Sequence, residues 1–319
     1  MNPARDPDRQ RPRVVLLGPQ RFQPTLAAAL DGLGVDGPIA LVTAGWQERE
    51  QETDELAEHV GRELIQLSLY GRHQELLGQD ADLAGALRER RDRLHELQDL
   101  YRLRLAHALG AAREMMSRSG ESSSLARHRR AAIRALRTLD RQHLVQVREI
   151  HAAFESDWRP SSRPALAGHR AEISELLQRA VALVLAGGHV TVLLNRLRLF
   201  DLLPLTGARP WVAWSAGAMA LSERLVLFHD SPPQGPGNAE VLEAGLGVCP
   251  GLVPLPHARR RLRLNDPVRV ALFARRFSPA TCVLLEREAF VERVDGRIHG
   301  SRATFYLNKR GGLSRMGRR

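Results

Sequence analysis

The chain has 319 residues, of which 43% are hydrophobic, so it can bury the core of one large domain or of a domain with an insertion. No apolar run reaches the roughly 18 residues that cross a membrane, and residues 1–13 lack the hydrophobic stretch of a signal peptide, so we expect a soluble, cytoplasmic protein. Cys249 and Cys282 form no CxxC pair, which argues against a zinc site or disulfide scaffold and predicts two buried free thiols.

The net charge of +11 is concentrated at one end of the chain. Residues 257–319 carry 16 arginine and lysine residues against 5 acidic residues, which accounts for the whole excess. Only Lys309 among the 47 basic residues is a lysine, so a general preference for arginine explains part of this pattern. Aromatic residues make up 5% of the chain and no zinc-finger spacing is present, so the sequence favours a solvated basic face over a nucleic-acid partner, for which it carries no motif.

Short apolar runs recur along the chain and are typical of buried strands. They lie at residues 14–18, 39–45, 64–70, 181–188 and 211–215. Helix-like patterns separate several of these runs, at residues 24–34, 47–61 and 169–180. This alternation predicts an α/β fold with three layers, in which helices cover both faces of a mainly parallel sheet.

Residues 80–158 interrupt the alternation with two long helical patterns. Apolar or small residues recur near heptad spacing in the first, namely Leu83, Leu87, Leu94, Leu97, Tyr101, Leu105, Ala108, Ala112 and Met115. A second stripe follows a polar turn at residues 117–124 and consists of Ala132, Leu136, Leu139, Val147, Ile150 and Phe154. We predict an antiparallel helical hairpin, inserted between two parts of an α/β domain at residues 1–79 and 159–319. The hairpin would serve as a lid, a homodimer contact or a partner arm.

The C-terminal part predicts further strands. Residues 281–307 alternate in a way that suggests two or three short strands, and Asp295 with Gly296 forms a typical hairpin turn. These strands would extend or cap the sheet.

Ser215 lies where an apolar run gives way to a helix-like pattern, in the segment AWSAGA. This approximates the G-x-S-x-G nucleophile elbow, in which a strand turns sharply into a helix and projects a serine hydroxyl. Small neighbours suit the turn because the backbones pass closely there, although Ala213 occupies a position usually held by glycine. A serine that caps an ordinary helix would give a similar pattern.

A nucleophilic serine needs a base, and the base needs an acid to orient it. His257 and Asp230 follow Ser215 in the chain, at positions expected for strand ends or loops. His229 is a rival base, and Glu240 and Glu243 are rival acids. Spacing alone does not choose among them.

The chain from about residue 13 to residue 298, without the helical insertion, resembles the peptidase E and cyanophycinase family of serine peptidases, in the class I glutamine amidotransferase-like superfamily. The resemblance rests on LAGGHVTVLLNRL at residues 185–197, on WSAGAMAL at residues 214–221, and on the spaced Asp230 and His257. It implies Ser215 as nucleophile, His257 as general base and Asp230 as acid. Gly187, Gly188 and Ala216 would then form the oxyanion hole, and the chemistry would need no metal or cofactor.

The resemblance also implies a peptide or isopeptide substrate. His189 replaces the small polar residue that usually follows the glycine pair, which makes it a candidate substrate contact. Arg259 opens an arginine run that would bind an acidic side chain or carboxylate. A serine in place of cysteine argues against glutamine amidotransferase chemistry. The alternative is a catalytically inactive family member that binds a partner through its hairpin and its basic C-terminal region.

Overall fold

The computed structural model describes residues 12–120, 122–230, 232 and 237–317. Most of the polar start of the chain, one position of the turn predicted at 117–124 and the last two residues of the basic tail lie outside this range. The strands and helices have these bounds in chain order: β1 (Val14–Leu17), α1 (Leu26–Gly32), β2 (Ile39–Val42), α2 (Asp54–Val60), β3 (Leu64–Gln66), α3 (Leu69–Gln79), α4 (Ala81–Ser117), α5 (Ser123–Trp158), α6 (Pro164–Gln178), β4 (Ala182–Leu185), α7 (Val190–Leu199), β5 (Trp211–Trp214), α8 (Ala216–Leu221), β6 (Arg224–Leu227), β7 (Glu240–Ala244), β8 (Leu252–Pro256), α9 (Ala258–Arg261), α10 (Pro267–Phe277), β9 (Thr281–Leu285), β10 (Phe290–Val294), β11 (Arg297–Gly300), β12 (Phe305–Leu307) and β13 (Leu313–Arg315).

A seven-stranded sheet has the order β11-β10-β1-β5-β4-β2-β3. The strands from β1 to β3 in that order run parallel, while β10 pairs antiparallel with β1. The predicted α/β architecture with a mainly parallel sheet is therefore confirmed. The strand predicted over 64–70 ends earlier, at Gln66, because Ser68 adopts a left-handed backbone conformation (φ 50°) and α3 begins at Leu69.

Helices cover both faces of this sheet. Along β1, Val14 and Leu16 join one apolar cluster and Val15 and Leu17 join another, as the two-residue period of a strand requires. The first cluster includes apolar residues of α3 and α6 to α8, and the second includes those of α1 and α2. All four residues of β1 are fully buried, which explains why the strand is apolar throughout.

Two smaller sheets complete the strand layers. One has the order β13-β12-β9-β8, with β8 and β9 parallel, and the other is the antiparallel pair β6 and β7. The predicted turn at Asp295 and Gly296 joins β10 to β11, and both residues have positive φ, 48° and 74°. The C-terminal strands thus extend the main sheet, as expected, and also build a separate sheet beside it.

The helices α4 and α5 span 37 and 36 residues and pack against each other. Side-chain caps fix where they begin: Asp80 accepts a hydrogen bond from the Leu83 N–H at 3.0 Å, and Ser122 accepts one from the Leu125 N–H at 3.1 Å. Eight of the fifteen residues in the predicted stripes are buried, namely Leu83, Tyr101, Leu105, Ala112, Leu136, Leu139, Val147 and Phe154.

A buried polar network joins α4 and α5 to the rest of the protein. Arg276 of α10 donates to both carboxylate oxygens of Asp140, at 2.8 and 2.6 Å, and to the Tyr101 hydroxyl at 2.8 Å. Its remaining amino group donates to the Ala239 carbonyl at 2.7 Å, and Tyr101 accepts the Val241 N–H at 3.1 Å. Asp140 and the Tyr101 hydroxyl raise the pKa of Arg276 against the opposing effect of burial. These bonds fix the position of α4 relative to β7.

Replacing Arg276 by Met is expected to lower the free energy of unfolding by about 3–5 kcal/mol, because it leaves the Asp140 carboxylate buried without its cation. Urea unfolding followed by circular dichroism measures this loss. The double variant Arg276→Met/Asp140→Leu removes both charges and is expected to be more stable than Arg276→Met alone. If the loss in the double variant equals the sum of the losses in the single variants Arg276→Met and Asp140→Leu, the ion pair is not their common cause.

Both cysteines are buried and free, as the sequence predicts, and burial raises the pKa of each thiol to about 12. Within the described ranges, no helix has the length and apolar character to span a membrane.

Candidate active site

A cleft of about 1470 Å³ opens at the carboxyl edge of the parallel strands. The loops that follow β1, β2, β4 and β5 contribute Pro19, Gly45, Gly187 and Ser215 to its lining. Ligands bind at this edge of open α/β sheets because the loops converge there. The predicted nucleophile, base and oxyanion-hole residues Ser215, His257, Gly187, Gly188 and Ala216 all line this one cleft.

Ser215 connects β5 to α8 through an unusual backbone conformation. Its φ of 50° and ψ of −116° lie outside the regions that a residue with a side chain ordinarily adopts. Such a conformation costs on the order of 1–3 kcal/mol and persists only where the surrounding structure enforces it. The residue is partly exposed although the flanking β5 and α8 are buried. The turn thus holds the serine at the floor of the cleft.

Close backbone contacts explain the glycines around Ser215. A Cβ atom on Gly217 would lie 2.4 Å from the Leu185 carbonyl oxygen, so only glycine lets α8 begin so close to the end of β4. Gly188 has a φ of 113°, and a Cβ there would lie 2.4 Å from the Gly45 carbonyl oxygen. That same carbonyl accepts the His189 N–H at 2.7 Å. Gly45 therefore belongs to the site, although the sequence pattern did not single it out.

His257 follows β8 directly and is half-buried, with a left-handed backbone (φ 55°). Burial, followed by the charge of Arg261, holds the pKa of its imidazole below the ordinary value, and Glu286 opposes this shift. The ring is therefore neutral at pH 7, which is the form that accepts a proton.

Glu286 is the carboxylate whose charge raises the pKa of His257. It follows β9, which runs parallel to β8 with Pro256 opposite Leu285, so His257 and Glu286 leave adjacent strand ends. One of its oxygens accepts the Arg259 N–H at 2.7 Å. Sequence spacing did not identify Glu286, because its relation to His257 depends on the pairing of two strands.

The Asp230 carboxylate, predicted as the acid for His257, binds other groups. One oxygen accepts the Arg263 N–H at 2.7 Å, and the other accepts a hydrogen bond from the Arg269 guanidinium. The residue is buried at 4% exposure. These bonds give Asp230 the role of fixing the segment after α9 to α10.

The two predicted substrate contacts also have structural partners. His189 caps α7, because its Nδ1 accepts the Val192 N–H at 3.3 Å. The Arg259 guanidinium lies 5.9 Å from the centre of the Phe305 ring. Within the arginine run, it is its neighbours Arg260 and Arg261 that line the cleft.

The helix α4 forms part of the cleft wall through Arg102 and Leu105. Arg102 binds both oxygens of Glu240, at 2.7 and 2.9 Å, so this rival acid is neutralised within the wall. The other rival acid, Glu243, pairs with Arg198 and His151, whereas His229 lines the cleft. Among the described residues, no group of three or more His, Cys, Asp or Glu side chains is arranged to hold a metal ion.

Comparisons with known proteins identify no family. No family model matches the chain, and no curated protein matches it. Among solved structures, 14 chains match. One of them, described as a crystal structure of a peptidase from an acI-B1 Actinobacterium, is 13% identical, with 97% of this chain and 96% of that chain covered and a TM-score of 0.47. A likeness at this level identifies neither a substrate nor a reaction.

Proposed function

We propose that the chain is a serine hydrolase of peptide or isopeptide bonds, related to the peptidase E and cyanophycinase family. Its α/β part, residues 1–79 and 159–319, would have the class I glutamine amidotransferase-like fold, and residues 80–158 would be an inserted helical hairpin. The observation that carries the proposal is the strained backbone of Ser215 at the junction of β5 and α8, facing a cleft that His257 also lines.

In this mechanism the Ser215 hydroxyl attacks the carbonyl carbon of the scissile bond while neutral His257 takes its proton. The N–H groups of Gly188 and Ala216 stabilise the oxyanion of the tetrahedral intermediate. His257 then protonates the leaving amine, and a water molecule hydrolyses the acyl-enzyme by the reverse sequence of proton transfers.

We assign the orienting role to Glu286 in place of Asp230. Glu286 favours the imidazolium that forms during attack, because its charge raises the pKa of His257. Asp230 is already bound to a guanidinium and a backbone N–H. Arg260 and Arg261, which line the cleft, supply positive charge toward a carboxylate on the substrate.

A fluorophosphonate probe tests the proposal without knowledge of the substrate. It is expected to form one covalent Ser215 Oγ–P bond per chain, with fluoride leaving and His257 accepting the serine proton. Peptide mass mapping locates the label, and His257→Gln should label at least about 100-fold more slowly because the base is lost. A label on another residue would overturn the assignment of Ser215 as nucleophile, and no label would favour an inactive binding protein.

A further inference from the structure

A second groove, of about 600 Å³, lies outside the cleft. We call it the α5 groove; its lining consists of Met116, Ala126, Arg129, Arg130, Ile133, Arg134, Arg137, Arg275 and Lys309. It shares no lining residue with the cleft. Six of these nine residues are cationic, and none is acidic.

Among the described residues, no carboxylate pairs with the cations of the α5 groove. None of its arginines, nor Lys309, takes part in an ion pair within the part of the chain that the structure describes. Other arginines of the same helices do, such as Arg102 with Glu240. The chain's preference for arginine explains why these cations are mostly arginines. It does not explain why no acidic side chain lines the groove.

Backbone carbonyls hold several of these cations in place. Arg137 donates from Nε to the Arg275 carbonyl at 3.1 Å, and Arg275 donates to the Lys309 carbonyl at 3.0 Å. Arg129 donates to the Met115 carbonyl at 3.0 Å. A neutral carbonyl satisfies the hydrogen bond without cancelling the charge, so α5, α10 and the turn after β12 gather like charges. An anion in the groove would relieve the repulsion.

The groove also lies on a longer row of arginines along α5. Arg127, Arg130, Arg134, Arg137 and Arg141 are all exposed and recur at alternating steps of three and four residues. This spacing keeps them on one helix face over about 21 Å. One cation on each helical turn is suited to a linear ligand that carries a negative charge on each of its repeating units.

We propose that the α5 groove and this arginine row bind the phosphate backbone of a nucleic-acid strand. A strand carries one phosphate per nucleotide, whereas an acidic protein surface has no such fixed repeat. The apolar lining residues are Met116, Ala126 and Ile133, and none is aromatic, so the groove offers no stacking platform for bases. Binding is therefore independent of sequence and depends strongly on salt. This inference concerns phosphate contacts and does not rest on the proposed hydrolase activity.

The test uses the full chain and a fluorescein-labelled oligothymidylate of about 20 nucleotides, followed by fluorescence anisotropy. Arg130→Gln/Arg134→Gln removes two contacts in the groove. It is expected to weaken binding roughly 20-fold near 0.1 M salt and to reduce the salt slope by about 1.4, or 0.7 for each phosphate contact. The matched control, Arg88→Gln/Arg93→Gln, removes the same charge from exposed positions about 35 Å away along α4 and should leave affinity within about twofold.

Equal losses in both double variants would show that net charge or the basic tail binds the strand, which overturns the proposal. So would the absence of binding by the parent chain at low salt. Displacement by polyglutamate as effective as displacement by unlabelled oligothymidylate would assign the groove to an acidic polypeptide. Equally effective displacement by inorganic tripolyphosphate would assign it to a small phosphate compound.

Discussion

Ser215→Ala is expected to lower the rate of hydrolysis about a million-fold, because the variant lacks the only nucleophile that the proposed mechanism uses. The assay measures release of amine from a panel of substrates that includes Asp-Xaa dipeptides and β-aspartyl-arginine oligomers. The cationic lining from Arg260 and Arg261 favours the substrates that carry a free carboxylate. Hydrolysis by the parent chain would therefore also begin to define the substrate.

The matched control is Ser222→Ala, at the opposite end of α8. The Ser222 hydroxyl binds the Met219 and Arg224 carbonyl oxygens, both at 2.7 Å, so its loss weakens the local structure without touching the cleft. We expect this variant to keep the parent kcat/KM once the folded fraction is taken into account. Equal hydrolysis by the parent and Ser215→Ala would exclude Ser215 as nucleophile. Absence of hydrolysis by the parent over the whole panel would favour the binding-protein alternative.

The sheet could be predicted from sequence because its parallel strands are buried on both faces. Each of β1, β2, β4 and β5 is four residues long and wholly buried, so each appears in the sequence as an uninterrupted apolar run. The strand β3 was predicted too long, because Leu67 and Leu69 are also buried while the chain already turns at Ser68. The sequence pattern reports burial, which does not distinguish a strand from the start of a helix.

The sharp turn at Ser215 could be predicted for a different reason, namely the cluster of small residues that such a turn requires. The proposed acid, Glu286, could not be predicted, because it lies beside His257 only through the pairing of two strands, β8 and β9, that are separate in the sequence. Asp230 was a reasonable choice by spacing, but its cation lies 39 residues away on α10 and is visible only in the fold. Local sterics leave a signature in the sequence, whereas long-range charge pairs do not.

Glu286→Gln is expected to lower kcat/KM about 10³- to 10⁴-fold, while Asp230→Asn leaves the kcat/KM of the folded protein unchanged. The amide cannot supply the charge that favours the His257 imidazolium, so only the first substitution removes the orienting acid. Asp230→Asn instead leaves Arg269 without its counter-ion, and it should lower the free energy of unfolding by about 1–3 kcal/mol. Steady-state kinetics and urea unfolding of both variants separate the two roles.

The pH dependence gives an independent measurement of the same assignment. Activity needs neutral His257, so kcat/KM rises with pH through the pKa of this residue and then levels off. Since burial holds that pKa below its ordinary value, the rise in the parent should be centred below about pH 6.5. Glu286 raises the pKa, so Glu286→Gln should move the rise in its residual activity to still lower pH. A large kinetic loss and a shifted rise in Asp230→Asn, with neither in Glu286→Gln, would return the role of the orienting acid to Asp230.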